Sequence, residues 1–330
     1  MEFARKAAAE WEYRYIVDLE SLSPEQIRTI LRVADSFRDK STNSVAKSTL
    51  LRGRVVANLF FEDSTRTRSS FELAAQRLSA DVINLTGKGS SVSKGETLVD
   101  TVQNIEAMGV DAMVIRHGAS GGARLAAHSV KCAVLNAGDG RHEHPTQGLL
   151  DTHTLARALG RNDYDLTGLT VGIVGDNLNS RVARSNIHAL TKLGARVICV
   201  GPPTLVPSGF KALGVELSHD LDAVLPRLDA INMLRIQLER MTDAPFPSTR
   251  EYTTLFGLNE ERAAKLHEGA IVMHPGPINR GVELAAAVAD SDRSVILKQV
   301  TSGLAVRMAA LYLCVSALDN QAAREGGRKV

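Results

Sequence analysis

The chain has 330 residues, long enough for two domains of ordinary size, and its apolar fraction of 44% and charged fraction of 23% are those of a globular protein. A net charge of +2 gives no global field for nucleic acid or an anionic membrane surface. No apolar run approaches the roughly 18 residues of a membrane span, and the charges through Arg14 leave no apolar core for a signal peptide.

The N-terminal stretch reads as a flexible lead-in, disordered to about residue 12. Ser23-Pro24-Glu25 opens the first predicted helix with an N-cap, a proline in the first turn and an acid; Ile27, Ile30, Leu31 and Ala34 line one face. Val55 to Phe61 is a short run of β-branched and aromatic residues, predicted to be a buried parallel strand. Behind it comes Glu62-Asp63-Ser64-Thr65-Arg66-Thr67-Arg68. Phe71, Ala74, Ala75 and Leu78 then recur at helical spacing and predict a helix over about 67–79, with Ser69 and Glu72 as its capping box. A helix start offers unpaired N–H groups and partial positive charge. Ser64, Thr65 and Thr67 add hydroxyls, and Arg66 adds a fork that matches phosphate. This turn is a candidate phosphate seat.

Val82 to Leu85 is the second predicted strand. The Gly/Ser-rich stretch 87–96 reads as mobile, with Ser93 and Glu96 as a capping box for a helix through Met108. Asp111 to Arg116 is a third strand, carrying Arg116 and His117 at its end. Val130 to Asn136 is a fourth, followed by residues 137–147 with His144 and Gln147, and by a helix from about Pro145 to Leu159. The alternation then repeats: strand 169–176, helix 182–193, strand 195–200, helix about 208–213, strand 214–217, helix 220–226, strand 230–234 and strand 271–273. The last strand ends in His274-Pro275-Gly276-Pro277, and Gly303 to Leu318 is a long amphipathic helix. The expected fold is α/β: two doubly wound parallel-sheet domains over 1–150 and 151–302, with a C-terminal helix at about 303–330 packing back onto the first. The polar clusters at 62–68, 116–117, 138–147, 176–181, 235–240 and 274–280 all follow strands, where open parallel sheets bind ligands, so the active site is expected in the cleft between the domains.

Several chemistries are excluded. Gly172 and Gly175 lack the spacing of a dinucleotide loop. His142 and His144 have no third soft ligand nearby, and no Cys-x-x-Cys pair is present, so no metal is expected. His144 precedes a helix-opening proline, which favours a neutral imidazole donating a hydrogen bond. Cys132, Cys199 and Cys314 read as reduced core residues of a cytoplasmic protein. What stands out is cationic groups at strand ends: Arg66, Lys94, Arg116, Arg181, Arg235 and Arg280. Together they imply substrates carrying several negative charges.

Ser-Thr-Arg-Thr-Arg at 64–68 resembles the carbamoyl-phosphate motif of the transcarbamylases. The resemblance continues over about residues 14–318. Lys-Gly-Glu-Thr-Leu at 94–98, His-Pro-Thr-Gln at 144–147, Val-Gly-Asp at 174–176 with Arg181, Arg-Ile-Gln-x-Glu-Arg at 235–240 and His-Pro-Gly-Pro at 274–277 are similar to the aspartate branch. The Ser-Met-Gly and His-Cys-Leu-Pro segments of the ornithine branch are missing. The resemblance implies carbamoyl transfer from carbamoyl phosphate to L-aspartate, the second step of pyrimidine biosynthesis, without cofactor or covalent intermediate. It implies that Ser64, Thr65, Arg66 and Thr67 hold phosphate, and that Thr67, Arg116 and His144 donate to the carbamoyl oxygen. Gln147 and the carbonyls of Gly276 and Pro277 would accept from the carbamoyl amide, and Arg181, Arg235 and Gln237 would grip the aspartate carboxylates. Either Ser90 or Ser91 matches the family's phosphate-contacting serine. Lys94 would reach both substrates from a neighbouring subunit, which implies a homotrimer with shared sites. The family pattern also allows a regulatory or dihydroorotase-like partner chain.

Overall fold

In the computed structural model, which describes residues 1–38, 45–86, 96–236 and 248–326, the N-terminal residues are folded, not loose. Glu2–Glu10 forms helix α1, with Ala4, Ala7 and Ala8 buried. Asn320 Nδ2 donates to the carbonyls of Ala8 and Trp11, both at 2.9 Å, and Arg324 pairs with Glu12 at 2.7 Å. The expected disorder is thus overturned by small side chains that dock closely and by bonds to residues more than 300 positions away. Helix α2 (Pro24–Phe37) follows the short strand β1 (Tyr15–Ile16) and starts on a full Ser23–Gln26 capping box.

The chain continues through β2 (Val55–Phe60), α3 (Thr65–Arg77), β3 (Asp81–Thr86), α4 (Leu98–Glu106), β4 (Ala112–His117), α5 (Gly122–Ser129) and β5 (Ala133–Asp139). All pairings in this sheet are parallel, in the order β1-β5-β4-β2-β3. Ala57, Leu59, Met113, Ile115 and Val134 form part of its core. Helix α3 begins at Thr65, not near 67, so Ser69 lies inside the helix and is not its cap; Ser64 is the N-cap residue. Likewise α4 is capped by Thr97, whose hydroxyl accepts from Asp100 N at 3.2 Å; Ser93, the expected cap, lies outside the described residues. Helix α5 was not foreseen: the glycine pair Gly121-Gly122 obscures an Ala-rich face, and Gly121 takes the left-handed φ of 85° at the helix start.

Helix α6 (Pro145–Ala158) leads into β6 (Thr170–Val174), α7 (Arg181–Lys192), β7 (Arg196–Val200), β8 (Glu216–Ser218), α8 (Leu221–Val224), β9 (Ala230–Met233), α9 (Thr249–Phe256), α10 (Glu260–Ala263), β10 (Ile271–Met273), α11 (Ala286–Ala289) and α12 (Ile296–Gly326). The second sheet is also parallel, ordered β10-β9-β6-β7-β8. Two compact units result: Met1–Thr146 with Thr301–Val330, and Gln147–Val300. Helix α12 is longer than expected and is long and apolar enough to cross a membrane by composition, but 78% of its most apolar window is buried. Residues 305–315 are buried all round, the mark of a core helix and not of an amphipathic one.

Candidate active site

In each sheet the chain moves outward on one side of a strand and then returns to its other side. In the first unit this reversal falls between β2 and β4; in the second, between β6 and β9. Ligands of open parallel sheets bind beyond the carboxyl ends of the strands at such points.

The first reversal is flanked by residues 61–67 and by Arg116. Phe60 pairs with Arg116 in register, and Phe61 N donates to Arg116 O at 2.9 Å. Ser64 is extended and its side chain makes no capping bond; Thr65, Arg66 and Thr67 form the first turn of α3. Arg66 and Thr65 are exposed, and Ser64 and Thr67 half-buried. The Arg116 guanidinium is held on two sides. Its Nη1 donates to Ala137 O at 3.2 Å, and its Nε lies 3.4 Å from Glu62 Oε2.

Beyond the adjacent strand β5, buried carboxylates fix the loop ahead of His144. Asp139 accepts from Gly121 N at 2.6 Å and from Asn136 Nδ2 at 2.7 Å, and Glu143 accepts from Leu19 N at 3.0 Å. The His142 ring is committed to Asp139 through Nδ1 at 3.1 Å, and this bond raises the His142 pKa. His144, 4% exposed, follows directly and precedes the first residue of α6. Among the described residues, no group of three or more His, Cys, Asp or Glu side chains gathers as metal ligands would. The three cysteines are free and buried, and burial pushes the Cys132 and Cys199 thiols up to about 12.

In the second unit Arg181 opens α7 behind the Ser180 cap and is 6% exposed. It follows β6, while half-buried Arg235 follows β9, so these two arginines flank the second reversal. Beyond β10, His274 Nδ1 accepts from Gly276 N at 2.8 Å, so the proton sits on Nε2, which faces Glu283 Oε1 at 3.1 Å. Asn279 N donates to the same Glu283 oxygen at 2.6 Å, and Asn279 Nδ2 donates to Ile236 O at 2.9 Å. The Gly276–Pro277 segment is thereby tied to the residues that follow β9. Arg280 turns elsewhere: it pairs with Asp290 at 2.7 Å on the exposed surface. Lys94, Gln237, Ser90 and Ser91 lie outside the described residues.

Gln147, 8% exposed, sits in α6 with its Nε2 donating to Asp151 Oδ1 at 2.8 Å. Asp151, one turn further on, was not singled out from sequence, although the i, i+4 spacing is visible there. Gln299, which donates to the same oxygen at 2.7 Å, carries no local signal at all.

The family described as aspartate/ornithine carbamoyltransferase, carbamoyl-P binding domain, matches residues 14–157, and its Asp/Orn binding domain matches residues 167–314. The aspartate carbamoyltransferase catalytic subunit of Myxococcus xanthus is 56% identical over 303 residues, which is 92% of this chain and 100% of that protein. That of a Nocardioides species is 56% identical over 303 residues, covering 91% of this chain and 94% of its own. Among solved structures, the aspartate transcarbamoylase of Trypanosoma cruzi in complex with carbamoyl phosphate superposes with a TM-score of 0.81 at 31% identity, over 92% of this chain and 97% of that one. With both domains matched in order along most of its length, this chain belongs to the aspartate/ornithine carbamoyltransferase family.

Proposed function

We infer that the chain transfers the carbamoyl group of carbamoyl phosphate to the amine of L-aspartate, giving N-carbamoyl-L-aspartate and phosphate, a step of pyrimidine biosynthesis. The observation that carries the choice of acceptor is the pair Arg181 and Arg235 on either side of the second reversal. Two guanidinium groups suit a dicarboxylate and would repel the cationic side chain of ornithine.

In this reading Ser64, Thr65, Arg66 and Thr67 hold the phosphate at the N-terminus of α3. Thr67, Arg116 and His144 aim donors at the carbamoyl oxygen, where negative charge grows as the amine attacks. Gln147 and the carbonyls of Gly276 and Pro277 accept from the carbamoyl amide. Arg181, Arg235 and Gln237 hold the aspartate carboxylates. The neutral amine attacks the carbonyl carbon directly, and the phosphate leaves and takes up the proton that the amine gives up, so the residues contribute positioning and charge stabilisation and form no covalent bond to the substrate.

The assembly is a cytoplasmic homotrimer in which Lys94 completes a neighbour's site; a regulatory or dihydroorotase-like chain is a further partner the family pattern allows. The edge of the first sheet supports an interface. β3 is the last strand of its sheet, mostly exposed, and carries Ile83 and Leu85 at 38% and 36% exposure, with Leu73 of α3 at 42%. A strand edge that no other strand pairs with among the described residues, and that bears apolar side chains, calls for cover. The stretch with Lys94 follows this strand in sequence.

The test is colorimetric detection of the carbamoylated product, with aspartate and ornithine offered in parallel. Product from aspartate alone is expected. Product from ornithine would discard the roles of Arg181 and Arg235, and no product from any amine would overturn the enzymatic reading.

A further inference from the structure

Asp151 is 1% exposed and lies at the centre of four amides within one unit. Gln147 Nε2 and Gln299 Nε2 both donate to its Oδ1, at 2.8 and 2.7 Å, and Asn186 Nδ2 donates to its Oδ2 at 2.8 Å. The side chain of Asn232, on β9, bonds to it as well. A carboxylate only accepts, so each amide must present its nitrogen to Asp151 and turn its oxygen the other way. For Gln299 that oxygen accepts from His274 N at 3.0 Å, and His274 Nδ1 in turn accepts from Gly276 N. One line of hydrogen bonds therefore runs from Gln147 through Asp151, Gln299 and His274 to Gly276. Its two ends are the groups read above as acceptors for the carbamoyl amide.

We propose that Asp151 and Gln299 are positioning residues that make the enzyme select an amino group on the acyl phosphate. Asp151 clamps the Gln147 nitrogen so that Gln147 offers its oxygen, and Gln299 registers the Gly276 segment to the same hub. The inference rests on the reading that Gln147 accepts from the carbamoyl amide. A buried carboxylate served by neutral amides is a costly way merely to fill space, since an apolar side chain of like volume would pack there without desolvating a charge. Burial pushes its pKa up to about 6 while the amide bonds pull it down, so it is ionised at neutral pH and stays an acceptor.

The test compares carbamoyl phosphate with acetyl phosphate, which carries a methyl group where the carbamoyl group has NH2. In Asp151→Leu both of the hub's oxygens are lost at nearly unchanged volume, and Gln147 loses the partner that fixes its orientation. The KM for carbamoyl phosphate should rise about tenfold, the equivalent of one lost hydrogen bond, while the inhibition constant of acetyl phosphate moves by less than about twofold. Gln299→Leu should shift the same ratio in the same direction by a smaller factor, and it decides the matter if Asp151→Leu does not fold. An equal weakening of both acyl phosphates, the signature of general loosening, would overturn the proposal, as would no change in either. Gln147→Ala separates the two readings. If it leaves the ratio unchanged, Gln147 does not read the amide and the proposal falls with that reading. If it shifts the ratio while Asp151→Leu and Gln299→Leu do not, the positioning role alone is wrong.

Discussion

His274 and Glu283 face each other in the second unit with both side chains 0% exposed, Nε2 to Oε1 at 3.1 Å. The same carboxylate oxygen takes the Asn279 N–H at 2.6 Å, so one buried acid satisfies two donors on the segment that carries Gly276 and Pro277. Glu283→Ala leaves both donors buried and unsatisfied, and should cost roughly 2–4 kcal/mol of stability; Glu283→Gln keeps an acceptor and should cost about 1 kcal/mol. Urea unfolding at neutral pH measures both. An alanine variant as stable as the parent would mean that this oxygen does not hold the segment.

Arg116 is gripped by Ala137 O and Glu62 at 3.2 and 3.4 Å, a geometry that uses two edges of a planar guanidinium. A lysine ammonium reaches one partner at a time. Arg116→Lys should fold, with a melting temperature lower by about 2–4 °C for the lost contact, and lose roughly 10²–10³ in kcat, the usual effect of removing one donor from a developing oxyanion. A loss below about tenfold would remove Arg116 from the donors to the carbamoyl oxygen.

Gly148 lies where α6 meets α7. A Cβ there would sit 2.8 Å from the Ser185 side chain and from its backbone. The contact is with backbone, which cannot swing aside, so Gly148→Ala should cost about 1–3 kcal/mol. The two helices must part to admit it, which would lengthen the Asp151–Asn186 bond now at 2.8 Å. Calorimetric melting is the readout, and an unshifted midpoint would mean that the helices can separate freely.

The strands were legible because parallel strands are buried on both faces and read as nearly continuous apolar runs, as 55–60 does apart from Asn58 and 170–174 does after Thr170. The two-sheet α/β class followed from their alternation with helices. Helix α1 was not legible because nine residues cannot hold a helix alone; its stability comes from docking against partners such as Asn320, far along the chain. The start of α3 was misplaced because Ser69 and Glu72 have the spacing of a capping box, while Ser64 begins the helix without any side-chain cap. Polar clusters after strands were visible from sequence. The hub behind one of them was not, because Gln299 meets Asp151 across 148 positions of chain.

Asp151 also ties stability to pH. Burial raises its pKa from 3.8 to about 6, so the folded state binds its proton more tightly than the unfolded chain does. The stabilisation that this proton brings is fully present below about pH 4 and is lost as pH rises through about 6, an effect on the order of 3 kcal/mol. Unfolding free energies of the parent and of Asp151→Asn between pH 4 and 7 should therefore differ in slope, with the variant lacking this fall. Identical slopes would mean that the carboxyl titrates as an ordinary surface acid.

Lys94 and Arg66 provide the test of a shared site. Each chain has a mass of 35.5 kDa, and sedimentation should give three of them together; a fully active monomer would overturn the trimer. If Lys94 of one subunit serves the phosphate seat of its neighbour, Lys94→Ala and Arg66→Ala enzymes are each inactive alone. Dissociated and reassembled together at equal amounts, they form sites of four kinds, and about a quarter of these pair an intact Arg66 with an intact Lys94 from the adjoining chain. Activity should return toward that fraction of the parent. A mixture as dead as its components would place both residues in the same subunit's site and leave the edge of β3 to some other purpose.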